Sequence, residues 1–522
     1  MRTLLLNPEM PASFWSFKQS CELAGRKTLL PPLGLITVAA LLPREWEFRL
    51  VDLNTRQVNE ADWAWAESVM ISGMLVQKEG LLALTREAKQ RGKTVVVGGP
   101  YPTSLPQEAL DAGADFLIRG EGENTIPLFL SALKEGKRPG IIERKGKPDL
   151  TTSPVPRFDL LNFDHYIDLS LQTSRGCPFD CEFCDVVNLY GRKPRYKNPQ
   201  QVLAELETLY RLGWRGEVFI SDDNFIGNQN HARAILDELI PWMQGHGEPF
   251  GFWTQTSVNL GFQPDLVNLL TAANFGHIFI GIESPDEAVL TLNRKYQNLR
   301  NPLDQSLANI TANGLSVVAS FIIGFDQEQP GAGDRICTFV EKNNIPLVML
   351  NTLEVLPNTS LWDRLKKEGR LLETRTSGNT GGGRLNYLPT RPEAQILTEY
   401  VDALDRLYEP RRYLSRTYRS FLTMRPTRRH LALQKGEKAR PRVKKERSPF
   451  RGALRELTGL LKLIWRQGVK ADYRWQFWRQ LVGIYQKNPS RLRKYLHSCS
   501  MGENMFQLRE EPLKSRQAKV RP

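Results

Sequence analysis

The chain has 522 residues, 41% of them hydrophobic, and a net charge of +14. That length supports two to four domains with a sizeable core, and no apolar run approaches the ~18–20 residues of a membrane span. Six scattered cysteines exclude a disulfide framework, and fourteen Lys or Arg against two acids between Arg411 and Arg447 leave the rest of the chain nearly neutral.

Met1 to Pro8 holds too short an apolar run for a signal peptide and reads as a first strand. With reduced thiols, a cytosolic location fits. Over 1–145, β-rich runs (Thr3–Leu6, Phe48–Val51, Val69–Ser72, Thr94–Val97, Phe116–Ile118) alternate with helical patterns at Leu33–Leu42, Gly80–Arg91, Pro106–Ala112 and Asn124–Leu133. That alternation predicts a doubly wound parallel sheet, whose ligands lie at the carboxyl ends of the strands. Pro31-Pro32-Leu33-Gly34, Val97-Gly98-Gly99-Pro100 and Arg119-Gly120-Glu121-Gly122-Glu123 resemble, in order and spacing, a cobalamin-binding domain. The resemblance implies contacts from Gly98, Gly99, Gly120, Glu121 and Glu123. A tight β-α turn is the competing reading of Gly98-Gly99, and a flavodoxin-like or nucleotide domain that of the whole. The D-x-H-x-x-G motif whose His ligates cobalt is absent, and no His precedes His165. The loop after the third strand takes that place in the resembling subfamily, which implies Met74, Leu75 and Val76 at the lower face of cobalamin.

Residues 146–168 are rich in Pro, Thr and Ser at their start and read as a linker. After an apolar strand, Ile167–Leu171, come Cys177, Cys181 and Cys184 at C-x₃-C-x₂-C spacing. Three thiolates on one loop hold three corners of a cubane cluster and leave one iron open. A structural zinc wants a fourth Cys or His at regular spacing, and none is nearby. The loop, with Phe183 as its aromatic residue, resembles that of radical S-adenosylmethionine (SAM) enzymes. The resemblance implies a [4Fe-4S] cluster whose open iron chelates SAM. One electron, from a flavodoxin or ferredoxin type donor, then yields a 5′-deoxyadenosyl radical.

Downstream, Val218–Ile220, Phe252–Gln255, Ile278–Ile280, Val317–Ile323 and Met349–Val355 alternate with helical stretches. Residues 169–375 therefore read as a partial (β/α)6 TIM-like barrel, with functional groups at the strand C-termini. By resemblance, Asp222, Asp223 and Asn224 meet the methionine end of SAM and Gly324 the adenine; Glu283 is placed to meet the ribose or amino group, Phe183 belongs to the same SAM-binding set, and Arg175, flanking the cluster loop, is expected to offset the anionic cluster or bind the carboxylate of SAM. Ser257 follows the third strand and belongs to the same set. N-cap or turn roles are the competing reading of each. His277 reads as a core or edge residue, and Cys337 as packed.

Residues 376–522 read as a helical, basic region. Leu454, Leu457, Leu461 and Ile464 mark one helix face, and Trp475, Trp478, Val482 and Tyr485 a second. A basic run beside Trp-rich helices suits a peripheral contact with anionic lipids through 411–485. A helical cap with a solvated connector is the alternative, and no RNA-binding module accompanies the basic run.

The chain to about residue 420 resembles cobalamin-binding radical SAM proteins. The tail, and the aromatic loop Phe14-Trp15-Ser16-Phe17, are similar to the subgroup that includes hopanoid C-2 methylases. The resemblance implies a methyltransferase acting on an unactivated sp³ carbon, with a lipid substrate and no covalent protein nucleophile. No catalytic acid or base is assigned. A tetrapyrrole-type cyclase with the same cofactors, and a non-catalytic cobalamin or Fe–S regulator, are the rival expectations.

Overall fold

The computed structural model describes residues 1–136, 140–378, 381, 384–436 and 449–520, with 449–455 and 511–520 described by backbone alone. Two six-stranded parallel sheets dominate it. The first contains β1 (Arg2–Asn7), β2 (Glu47–Asp52), β3 (Ser68–Ser72), β4 (Thr94–Gly98), β5 (Phe116–Arg119) and β6 (Gly140–Glu143), in the order β2-β1-β3-β4-β5-β6. Alternate residues of these apolar runs feed two cores. Leu4, Leu6, Val95 and Val97 pack on one face, and Leu5, Met70, Val96 and Phe116 on the other, as a sheet covered on both sides requires. The edge strand β6 was not among the expected runs, because Gly140 and Glu143 flank only two apolar residues.

The second sheet holds β7 (Leu169–Leu171), β10 (Glu217–Ile220), β11 (Gly251–Thr256), β12 (Phe275–Glu283), β13 (Ser316–Ile323) and β14 (Leu347–Thr352), paired in sequence order from β7 and all parallel. Helices between them, such as Pro199–Arg211 and Gln229–Gly245, cover the outer face. β7 and β14 do not pair with each other, so the barrel is partial. A small antiparallel pair, β8 (Ser174–Arg175) and β9 (Arg195–Tyr196), brackets the cysteine loop.

The segment 146–168 is more than a tether. It forms three short 3-10 turns and buries Phe158, Leu161 and Tyr166 in the barrel's core. Phe14 and Phe17 enter that core too, and the Trp15 ring stacks on Trp253 at 6.3 Å. Beyond the barrel, helices Glu393–Leu407, Pro410–Thr423, Arg474–Lys487 and Leu492–Val520 pack through Tyr413, Phe421, Phe477 and Tyr495. The expected basic segment divides in two. Residues 437–447 lie outside the described residues, whereas Arg416 is fully buried between the Tyr408 and Tyr413 rings and donates to Ile345 O. Leu457, Leu461, Trp475, Val482 and Tyr485 are exposed, while Trp478 tucks against Gly468. The Leu454 side chain is outside the described set.

At the amino-terminal mouth of the barrel, Asp168 accepts from Trp253 Nε1 at 2.9 Å. Burial and the Glu217 carboxylate push Asp168 up to about 8. Cys21, Arg215, Glu248, His277, Glu456, Arg493, Lys494 and His497 are the other ionisable side chains around it among the described residues. A carboxyl raised above its unfolded value near 3.9 holds its proton more tightly when folded. Its stabilising contribution is complete below about pH 4 and is lost as pH rises through about 8. Asp168→Asn is expected to flatten this slope in urea unfolding between pH 5 and 8, removing up to ~1.4 kcal/mol per pH unit.

Candidate functional site

The carboxyl ends of the two sheets face each other. Asn358, after β14, donates to Ser104 O, in the helix that follows β4, at 3.2 Å. A Cβ on Gly378 would lie 2.5 Å from Val76 N, so the post-barrel segment lies directly on the loop after β3. Ligands of the two halves therefore meet in one interior region.

On the barrel side, the loop after β7 carries Cys177, Cys181 and Cys184, all free thiols and all partly exposed. Among the described residues no three His, Cys, Asp or Glu side chains converge as the ligands of one ion would; thiolates on separate irons of a cluster need no such convergence. Gln297 Nε2 donates to Cys181 Sγ at 3.4 Å. Lys295 Nζ pairs with Glu283 at 2.8 Å and lies 5.8 Å from the Phe183 ring. Burial alone would lower Lys295, but Glu283 and the sulfurs of Cys181 and Cys184 raise it overall, so it stays cationic beside the loop. A buried cation and an amide donor suit an anionic Fe–S cluster bound by three thiolates. A Cβ on Gly281 would sit 2.3 Å from Glu283 Oε1, so this glycine makes the room in which Glu283 and Lys295 meet. Glu283 itself has φ 69°, beside a register shift between β12 and β13. Backbone strain of this kind costs about 1–3 kcal/mol and collects at functional sites.

Other expected SAM contacts are redistributed. Asp222 accepts at one oxygen from Thr173 N and Ser174 N (2.6 and 3.0 Å) and at the other from both hydroxyls. Its lone pairs are filled, so it shapes the cysteine loop and has no oxygen to offer an ammonium group. Asp223 makes one such bond, from Gly176 N at 2.8 Å, and burial pushes its carboxyl up to about 7. Asn224 and Ser257 bond each other, joining the ends of β10 and β11. Gly324 N donates to Glu328 and its carbonyl accepts from Tyr387 OH. Phe183 packs against Phe325 at 5.5 Å.

The largest departure concerns Arg175, Glu121 and Glu123. Arg175 does not point to a free carboxylate site; it donates to Glu121 at 2.8 Å, to Glu123 twice at 2.9 Å and to Gln172 at 2.7 Å. Arg195 grips Glu121 through two more bonds of 2.9 Å. Burial opposes ionisation of Glu123, yet Arg175 holds its carboxyl below the usual range. These residues were expected on SAM and on cobalamin respectively. They instead clamp the two halves together, because buried charges must find opposite charges.

At the first sheet's edge, Met74, Gly99 and Gly120 end the neighbouring strands β3, β4 and β5. Met74 is 47% exposed, and Leu75 and Val76 follow it in a short 3-10 turn. Gly99 (φ 99°) is held by packing, since a Cβ there would strike Ser72 Oγ at 2.5 Å, and Gly98 packs on Ile118. Gly120 has open space where a Cβ would stand. The open space at Gly120 and the exposed Met74 leave room for a large planar ligand, so the residues present fit cobalamin. The residues missed in the sequence are Lys295 and Gln297. Their signal was slight, a lysine and an amide shortly after Glu283 in chain order.

This pair of facing sites defines a cobalamin-binding radical SAM enzyme. Residues 23–130 match the B12 binding domain, 171–340 the radical SAM superfamily and 359–518 a domain of unknown function. An uncharacterized methyltransferase of Synechocystis sp. is 49% identical over 98% of this chain and 92% of its own. The hopanoid C-2 methylase of Rhodopseudomonas palustris is 33% identical over 92% of this chain and 88% of its own. Among solved structures, the cobalamin-dependent radical enzyme OxsB with aqua-cobalamin and SAM bound matches with a TM-score of 0.60 at 16% identity, over 99% of this chain and 80% of that one. TsrM from Kitasatospora setae, a radical SAM methyltransferase, gives 0.57 at 15%, over 70% and 76%. The chain belongs to the family of cobalamin-binding radical SAM methyltransferases, and its cofactors are a [4Fe-4S] cluster, SAM and cobalamin.

Proposed function

We propose that the chain methylates an unactivated sp³ carbon of a polycyclic lipid of the hopanoid type. The observation that carries this reading is the likeness to the hopanoid C-2 methylase over 92% of the chain, which includes the helical region after the barrel. In this reading Cys177, Cys181 and Cys184 hold the cluster, with Lys295 and Gln297 beside them. Asp223 receives the amino group of SAM, and Met74, Leu75 and Val76 underlie cobalamin. Bound together, the cofactors supply a carbon-centred radical and a methyl group, the chemistry a carbon without adjacent activation requires. The protein's part is to hold the two sites face to face, to exclude water and to present the substrate carbon between them. A flavodoxin or ferredoxin type donor supplies the electron.

No helix among the described residues is long and apolar enough to cross a membrane. Access to a lipid then falls to the surface formed by Leu457, Leu461, Trp465, Val469, Trp475 and Tyr485, all exposed, with Lys462, Lys470 and Arg474 among them. Apolar and aromatic side chains interspersed with cations match an anionic bilayer surface.

The test is anaerobic reconstitution with SAM, a strong reductant, cobalamin and a polycyclic triterpenoid. Release of 5′-deoxyadenosine with a product heavier by one methylene unit is expected. Release of 5′-deoxyadenosine with a product lacking that gain would replace methylation by a ring-forming or oxidative reaction.

A further inference from the structure

Outside 411–447 the chain is nearly neutral, yet Arg144, Lys145, Lys147, Arg192 and Lys193, all exposed, gather on one side of the cysteine loop. Two segments supply them. One follows the edge strand β6, and the other follows the helix Val186–Tyr190. Lys147 ties the two together: its Nζ donates to the carbonyls of Asn188 and Leu189, and its stem lies 3.9 Å from where a Cβ on Gly191 would stand. Arg144 is three residues from Lys147, so at ~3.3–3.6 Å per residue its backbone stays within ~11 Å of that tie.

This surface rests directly on the first cysteine of the loop. Cys177 N donates to Gly191 O at 3.2 Å. A Cβ on Gly176 would strike Gly191 O at 2.7 Å and meet Lys193 O at 3.4 Å. One layer of backbone therefore separates Cys177, itself partly exposed, from the side chains of Arg192 and Lys193.

The acids nearby do not cancel the charge. Glu143 pairs with Arg119 at 3.4 Å, and Asp149 accepts from Thr151 N at 2.9 Å. Asp180 stands between Arg192 at 3.7 Å and Arg294 at 3.6 Å, one carboxylate facing two guanidinium groups. Arg144, Lys145 and Lys193 have no ion-pair partner among the described residues. Like charges held close together repel, so folding gains nothing from gathering them. A positive field on one face instead steers an acidic partner to it and fixes its orientation.

Resting on the radical SAM chemistry of the proposed function, which draws an electron from outside, we propose that Arg144, Lys145, Lys147, Arg192 and Lys193 form the docking surface for an acidic, low-potential electron-carrier protein. The carrier's acidic rim meets these cations while its redox group faces 191–193. One electron passes from the carrier, which is oxidised, to the cluster bound by Cys177, Cys181 and Cys184, which is reduced. No proton or group is transferred.

The test uses the full chain with its cluster reconstituted, and two strongly acidic probes, a flavodoxin and a [2Fe-2S] ferredoxin. Titration calorimetry with the oxidised probes at low ionic strength is expected to show binding of at least one, and the tighter of the two identifies the redox group. That binding should weaken as salt rises, and about tenfold or more in the triple variant Arg144→Glu/Lys145→Glu/Lys193→Glu. With SAM present, 5′-deoxyadenosine release driven by the subsaturating reduced carrier should fall by a similar factor. Release driven by reduced methyl viologen, a small cation that needs no protein interface, should be unchanged, an outcome that misfolding or cluster loss would not give. Arg479→Glu/Lys487→Glu, a reversal at exposed positions of the helical region, should leave carrier binding as it was. Binding of neither probe, equal binding by the triple variant and the wild type, or an equal loss with carrier and viologen overturns the proposal. If the carrier docks as stated but no triterpenoid is methylated, the surface stands and the lipid reading falls. If a triterpenoid is methylated and carrier-driven turnover is indifferent to the triple variant, the lipid reading stands and the surface falls.

Discussion

Replacing Cys181 by Ala is expected to abolish release of 5′-deoxyadenosine altogether. Two remaining thiolates cannot hold three corners of a cubane, and the Gln297 donor loses its sulfur partner. Iron and sulfide analysis after anaerobic reconstitution should fall to background, together with any spectral response to SAM. Cys337→Ala supplies the control. Cys337 is buried, its Sγ within 3.6 Å of Ala403 O, in a helix on the outside of the barrel. A full cluster in Cys181→Ala would mean that the ligand set lies elsewhere.

Glu123→Ala carries the second large effect. It removes the two-pronged partner of Arg175 and leaves that guanidinium with Gln172 and with a single carboxylate, Glu121, that it shares with Arg195. Breaking a buried ion pair from one side costs ~3–5 kcal/mol. The first transition in urea unfolding should move by that amount, and bound cobalamin should be lost in the same transition, since the clamp joins its domain to the barrel. Glu123→Gln keeps a hydrogen-bonding side chain and should fall between. A change under ~1 kcal/mol would instead be the behaviour of an exposed pair.

The strands were readable from sequence because both sheets are buried on two faces, so each strand is a short run of Val, Ile, Leu and Phe closed by a polar or glycine-rich end. The cysteine loop was readable for a different reason: its spacing is local. What spacing cannot convey is who meets whom across the chain. Arg175 and Glu123 each look like a ligand contact when read in its own motif, yet they are partners 52 residues apart. Asp222 shows the same thing, because its partners Thr173 and Ser174 lie just after β7, the strand beside β10. The segment 146–168 looks like a linker by composition, and only its packed Phe158 and Tyr166 show it to be part of the core. In the helical region the periodic face was seen, but the strongest apolar residues, Trp475 at 74% exposure among them, turn outward while Phe477 and Ile484 turn in. Amphipathic period alone does not say which side has a neighbour.

The helix Pro449–Leu463 serves two surfaces at once. Glu456 forms part of the wall of a cavity of about 480 Å³ at the amino-terminal mouth of the barrel, and the next residue, Leu457, stands in solvent. A helix with its side chains is only ~10–12 Å across. In the lipid reading proposed above, a molecule leaving a bilayer held against that outer side would reach the inner one around a single helix, without ever being dissolved as a free monomer. For a substrate with negligible aqueous solubility, turnover would then track lipid surface area rather than bulk concentration.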